Sequence, residues 1–244
     1  MNLVIDIGNS SAKIGYFGAD SSHYIYKRVD PSELPAIATE MKPDFILISS
    51  VTGDAETWKE TLSDITPAIW VLNSQLPLPF TNHYKTPHTL GTDRIASVAG
   101  AQALYPNQSS LVIDAGTCIK YEWLENGTDY RGGSISPGLH MRFQAMHTFT
   151  RKLPLLEPTP EVFLTGTTTL EAMQSGVIKG MTAEIEGIIE QYKQQYSVSN
   201  VIICGGDAHF FERQLKTPIF VVSELVLIGL NHILNHTIDN LKRY

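Results

Sequence analysis

Two short apolar runs with nearly the same spelling organise the hydrophobic pattern of this chain. Leu3-Val4-Ile5-Asp6-Ile7-Gly8-Asn9-Ser10 opens it, and Leu111-Val112-Ile113-Asp114-Ala115-Gly116-Thr117-Cys118 repeats the spelling in the second half. An apolar run cut by Asp-x-Gly reads as a buried strand ending in a tight turn. Glycine there lets the backbone approach a ligand closely, with free N–H groups that can face phosphate oxygens. One such sequence is simply a turn. Two matched copies, too far apart for a solenoid repeat, point to two related halves, 1–108 and 109–244. They also point to one phosphate-bearing ligand in a cleft between the halves.

The remaining pattern fills in each half. After the first run, 12–17 and 24–29 read as strands, the latter alternating Tyr24, Tyr26 and Arg28 with Ile25, Lys27 and Val29. Ser32 suits the cap of a short helix with Pro35 in its first turn, running to Met41. A strand at 45–49, a helix at 54–65 and a strand at 68–72 follow. The stretch 73–90 is irregular and proline-containing, as functional loops of that length are. From Thr92 the spacing turns helical, with Ile95, Val98, Ala99 and Ala103 on one face, Thr92 suited to the cap and Asp93 in the first turn. The second half repeats the order: strands at 111–114, 118–124 and 130–136, with a hairpin turn at Asn126-Gly127. A helix at 139–149 and an extended, three-proline stretch at 152–163 come next. A long inserted helix at 168–196, a strand at 201–204, a helix from 208, a strand at 219–222 and a final helix from 225 complete it.

Composition narrows the class. Hydrophobic residues make up 43% and charged residues 18% of the 244, ordinary values for a globular protein. The formal net charge of −7 supplies no basic footprint for nucleic acid. Cys118 and Cys204, the two cysteines, form no Cys-x-x-Cys pair and no disulfide framework, which suits a reducing compartment. No run is long enough for a membrane span, and Asp6 with no basic segment before it argues against a signal peptide. The expectation is a cytoplasmic protein with no membrane or nucleic-acid partner.

Two three-strand meanders, each opening with Asp-x-Gly and each followed by helix and strand units, describe an α/β duplicated ribonuclease H-like fold of the actin and Hsp70 type, two halves with mixed sheets. Within that superfamily the chain resembles the type III pantothenate kinases. Their Asp-x-Gly-Asn-Thr-x-x-Lys pattern is matched by Asp6, Gly8, Asn9, Ser10 (for Thr) and Lys13. Their Gly-x-Asp-Arg is matched by Gly91, Asp93 and Arg94, and Asp-x-Gly-Thr-Ala by Asp114, Gly116, Thr117 and Cys118 (for Ala). Gly-Gly-x-Ile-x-Pro-Gly is matched in full from Gly132 to Gly138, and Thr169-Leu170-Glu171-Ala172 with Ser175-Gly176 resembles the substrate-lid helix.

The resemblance implies transfer of the γ-phosphate of ATP, with Mg2+, to the primary hydroxyl of pantothenate, the first step towards coenzyme A. It implies that Asp93 is the catalytic base; on spacing alone Asp93 is a first-turn residue facing a helix N-terminus. Asp6 orients a hydrated magnesium ion or, more plainly, caps its turn. Gly8, Asn9, Ser10, Ser11 and Lys13 serve the phosphates, although a lysine on a second strand is often just solvated. Thr117 touches ATP. Tyr84, Gly91, Thr92, Asp93 and Arg94 bind substrate; Arg94 offers a planar fork to an anionic group, or forms a surface ion pair, and Tyr84 contacts substrate or packs its own loop. The resemblance also implies a homodimer across whose interface Thr169 reaches, and a monovalent cation, K+ or NH4+, at Asp114. Gly205-Gly206 admits the adenine side or forms a strand-to-helix turn. His232 and His236 read as a solvated helix face rather than a metal pair, and His140 and His147 carry no assigned role. Two other readings stand beside the kinase: a non-catalytic regulatory or accessory relative of the same fold, and an acetate- or sugar-type kinase.

Overall fold

The first apolar run forms β1 (Asn2–Ile7), the middle strand of a sheet whose order is β3-β2-β1-β4-β5, with β2 at Ala12–Phe17, β3 at Tyr24–Val29, β4 at Phe45–Ser50 and β5 at Ile69–Val71. This is a computed structural model, and it describes residues 1–8, 11–18, 24–50 and 52–242. The chain divides into two compact units, 1–107 with 124–131 and 224–244, and 108–123 with 132–223.

In the first unit β2 runs antiparallel to β1 and β3, whereas β4 and β5 are parallel. A central strand is apolar on both faces because both are covered. Leu3, Ile5 and Ile7 pack with Ile46 and Ile48 against Leu34 and Ala38 of α1 (Leu34–Met41) and Leu62 of α2 (Ala55–Leu62). The alternate face lies under α7 (Leu225–Leu241), which packs on β1, β2 and β4. The tightest crossing in the unit is between α7 and α3 (Thr92–Leu104). A Cβ on Gly229 would stand 1.8 Å from the Ala96 carbonyl oxygen, and one on Gly100 2.2 Å from that of Leu225. The two backbones therefore touch where neither helix carries a side chain.

Three local expectations change. The side-chain cap ahead of the helix is Asp30 rather than Ser32, and it lies before α1 itself, whose own cap position is Glu33: Asp30 accepts from the Ser32 N–H, and Glu33 reaches back to the Asp30 N–H. That reciprocal box sets a 3-10 turn, Pro31–Glu33, ahead of α1. Thr92 is the first helical residue and Gly91 the cap, because the Thr92 hydroxyl is bonded to Ser49. His232 is half-buried, with Nε2 3.2 Å from Gln102 Oε1. Burial, and secondarily His236, hold its imidazole below the ordinary value, so that helix face is not a solvated one.

The second unit repeats the strand order as β11-β10-β7-β8-β9, with β7 at Ser110–Ala115, β8 at Cys118–Glu125, β9 at Asp129–Pro137, β10 at Asn200–Cys204 and β11 at Phe220–Val221. Its core sets Leu111, Ile113, Ile119 and Tyr121 against Phe143 of α4 (Leu139–Phe149) and Ile178, Met181 and Ile185 of α5 (Thr169–Gln195). Thr168 caps α5 through the Glu171 N–H, and Glu171 returns the bond. The short α6 (Ala208–Glu212) follows β10. The β8–β9 turn is the expected two-residue type, Asn126 and Gly127 having φ of 54° and 70°. Its tip belongs to the first unit, where β6 (Thr81–Asn82) pairs with Asp129 and Tyr130.

Gly229→Ala should lower the stability of the protein by about 1–3 kcal/mol or more, the cost of forcing volume into a closed contact. Urea unfolding followed by far-ultraviolet circular dichroism measures it. Ala at the open helical position Gly180, where an added Cβ meets nothing within 4 Å, should leave the midpoint at or above wild type.

Candidate active site

In the first unit the site is built on the carboxyl ends of β1 and β4. Asp6 and Ser49 are register partners on these parallel strands, and Lys13 is the partner of Asp6 on β2. Side chains at paired positions share one face of a sheet. The buried Ser49 hydroxyl lies 3.3 Å from Asp6 Oδ1 and 3.0 Å from Thr92 Oγ1. One hydroxyl thus ties the end of β1 to the head of α3. Gly8 N–H donates to the Ser11 carbonyl at 3.0 Å, closing the turn that the sequence assigns to phosphates. Asn9 and Ser10, also assigned to phosphates, lie outside the described residues.

The head of α3 carries the Gly91-Thr92-Asp93-Arg94 run. Asp93 is partly exposed, and its Oδ1 accepts the Arg94 N–H at 2.8 Å. A Cβ on Gly91 would meet that same oxygen at 2.5 Å, so glycine leaves the carboxylate its place. Arg94 is buried rather than on the surface. Its guanidinium carbon stands 5.2 Å over the Tyr84 ring, and Nη1 donates to the Tyr84 hydroxyl at 3.3 Å. Tyr84 stacks at 8° on Tyr130, ring centres 6.4 Å apart, and its N–H is held by Asn82 Oδ1 at 2.9 Å. The irregular approach to Gly91 is therefore anchored, and Tyr84 orients the guanidinium beside Asp93.

In the second unit Asp114 ends β7 with its side chain 12% exposed, and Lys120 Nζ lies 2.5 Å from its Oδ2. On the other oxygen, a Cβ on Gly205 would be 2.5 Å from Asp114 Oδ1 and 2.3 Å from the Ala115 carbonyl oxygen. With φ of +90°, Gly205 makes a strand-to-helix turn closed by the Asp207 N–H on that carbonyl at 2.9 Å. Burial raises the Asp207 carboxyl above its ordinary value, His140 opposes this, and the Asp114 charge adds to it. His140 Nε2 is 3.8 Å from Asp207 Oδ1.

Thr117 is exposed in the turn after Asp114, and Gly138 packs against that turn, its N–H on the Thr117 carbonyl at 3.2 Å. Gly133 of the same motif is a packing position: a Cβ there would collide with the Tyr121 carbonyl oxygen at 1.7 Å. Arg142 holds the Pro137 carbonyl at 2.8 Å and reaches Glu184 on α5 at 2.5 Å. Thr169 is exposed at the first position of α5.

The Asp6 carboxylate is partly exposed and accepts from the Ser49 hydroxyl, a setting that fits a magnesium ion held through its waters. Among the described residues no group of three His, Cys, Asp or Glu side chains could ligate an ion directly, and magnesium retains its waters readily. The surroundings of Asp114 do not fit a monovalent ion, since one oxygen faces Gly205 and the other an ammonium. Sequence reasoning missed Ser49, Lys120 and Asp207. Lys120 was within reach: Gly8 closes its turn on Ser11 but Gly116 on Cys118, so a one-residue gap aligns Lys120 with Lys13. Ser49 and Asp207 have no such repeat partner.

Comparison with known proteins adds the family. The family model described as type III pantothenate kinase matches residues 2–191. A curated protein of that name from Cytophaga hutchinsonii is 44% identical over 240 residues, covering 98% of this chain and 100% of its own length. A solved structure from Campylobacter jejuni named for a Baf family transcriptional activator is 22% identical, with a TM-score of 0.65 over 97% of this chain and 99% of that one. One from Sinorhizobium meliloti named for a 2-dehydro-3-deoxygalactonokinase is 17% identical, with a TM-score of 0.59 over 99% of each. The two structures show the shared duplicated fold.

The raised Asp207 carboxyl has a measurable consequence. Its folded-state value lies above the ordinary 3.8. Its contribution is therefore fully present below that value and is lost as pH rises through the raised one. Asp207→Asn should gain stability relative to wild type as pH climbs from about 4 towards neutrality, following that sign. Urea midpoints of both proteins across the range measure it; a parallel pair of curves would contradict the burial argument.

Proposed function

This chain belongs to the type III pantothenate kinase family, and from that premise we propose how its residues phosphorylate pantothenate at the expense of ATP. The observation that carries the reading is Asp93, a partly exposed carboxylate at the head of α3 with one oxygen fixed by the Arg94 N–H. The primary hydroxyl of pantothenate attacks the γ-phosphorus, a new O–P bond forms, and the bond to ADP breaks. Asp93 accepts the hydroxyl proton. Arg94, braced by Tyr84, meets the anionic end of the substrate, with Gly91 and Thr92 shaping the same end. Gly8, Asn9, Ser10, Ser11 and Lys13, with Thr117, serve the phosphates of ATP. Asp6 would hold magnesium through water, and the chemistry the ion would supply is neutralisation of developing phosphate charge.

The protein works as a cytoplasmic homodimer in this reading, without a nucleic-acid or membrane partner. Among the described residues no helix is long and apolar enough to cross a membrane. The dimer is supported by exposed apolar side chains beside Thr169 in sequence: Phe163, Leu164 and Leu170 are 76%, 82% and 51% exposed. Nothing favours the regulatory alternative, because the likeness to the Baf-named structure is one of fold and both Asp6 and Asp93 are present. The sugar-acid kinase likeness is likewise one of fold.

Purified protein with ATP, magnesium and pantothenate should release ADP only when pantothenate is present. Asp93→Asn should lower kcat about 10²–10⁴-fold, the range for loss of a positioned base, with an unchanged urea midpoint. Coupled ADP detection reads both; full turnover in the variant would remove Asp93 from the chemistry.

A further inference from the structure

We infer that the Lys120 ammonium stands in for the monovalent cation at Asp114, so that this enzyme needs neither K+ nor NH4+. The Asp114–Lys120 pair is well enclosed, the two side chains being 12% and 14% exposed. An added ion would need a carboxylate oxygen of Asp114. Oδ2 is taken by Nζ at 2.5 Å. Oδ1 faces the Gly205 backbone so closely that a single added carbon would lie 2.5 Å away. To admit a potassium ion at Oδ2, Lys120 would have to swing off a charge-assisted bond in an enclosed setting.

Charge balance points the same way. Asp114 and Asp207 place two carboxylates at the ends of β7 and β10, and Asp114 pushes the Asp207 carboxyl up. One fixed positive charge on Asp114 offsets that repulsion as an ion would. His140 supplies a weaker partner on the Asp207 side at 3.8 Å. Lys120 is covalently held on β8, so its local concentration is independent of the salt outside.

The activity arm of the test rests on the kinase reading; the melting arm does not. ADP release and thermal unfolding are measured on the full chain in tetramethylammonium chloride, KCl and NH4Cl at equal ionic strength. Wild type should give the same turnover and the same melting temperature in all three. Lys120→Met should lose about 10–100-fold in tetramethylammonium, the range for groups that orient a site from one shell out. K+ or NH4+ should restore its turnover and raise its melting temperature.

A wild type that turns over only with K+ or NH4+, or that melts higher in either, overturns the inference with no variant needed. A folded Lys120→Met that neither ion rescues overturns it too. No turnover in any salt would sink the kinase reading, while the melting temperatures of both proteins would still decide the cation question.

Discussion

The crossing of α3 over α7 is the constraint on which the first unit depends. Two helices rarely approach until carbonyl oxygens meet the space of a missing Cβ, and here they do so twice, at Gly100 and Gly229. The contact fixes α3 along its length, from Arg94 to Ala101, all buried. A helix held that firmly has a fixed head, and the head carries Asp93 and Arg94. Ser49 then needs only one hydroxyl to join that head to the end of β1. Packing far from the chemistry sets the position of the carboxylate, and the polar bonds near it refine the position.

Much of this was legible from the chain. Elements bounded by strong punctuation emerged closely: α4 spans Leu139–Phe149 as expected after Pro137-Gly138, and the Asn126-Gly127 turn lies where φ must be positive. The helix caps were less legible, because Asp30 and Ser32 are both good capping residues and only the reciprocal bond from Glu33 decides between them. Thr92 looked like a cap because its hydroxyl has capping chemistry. That hydroxyl is committed to a residue more than forty positions away, and no local pattern records such a bond. The final helix shows the same limit. Its apolar spacing says that it is buried but not against what, and it packs in the first unit although it follows the whole of the second.

The candidate site was legible to the degree that it is local. Gly91 to Arg94 is a contiguous run, and its geometry follows from one glycine cap and one helix start. Tyr84 needed the structure: its ring could have packed its own loop or faced a ligand, and it is found stacked on Tyr130 with Arg94 above it. In the Gly132–Gly138 motif two glycines have a packing reason of their own. They are required where Tyr121 and the Gly116-Thr117 turn approach too closely for any side chain.

The two Asp-x-Gly copies began alike and have different electrostatic settings. In the first, Asp6 is partly exposed, with the Ser49 hydroxyl on one oxygen. In the second, the turn is one residue tighter, and the lysine that corresponds to Lys13 lies directly on the carboxylate in an enclosed setting. A carboxylate already paired with an ammonium at 2.5 Å has little left to offer a mobile cation. The duplication therefore keeps a lysine across from each strand-end carboxylate, although the two turns differ by one residue. Loop length is invisible to a motif that stops at the glycine, which is why the repeat identified Asp114 but not its partner.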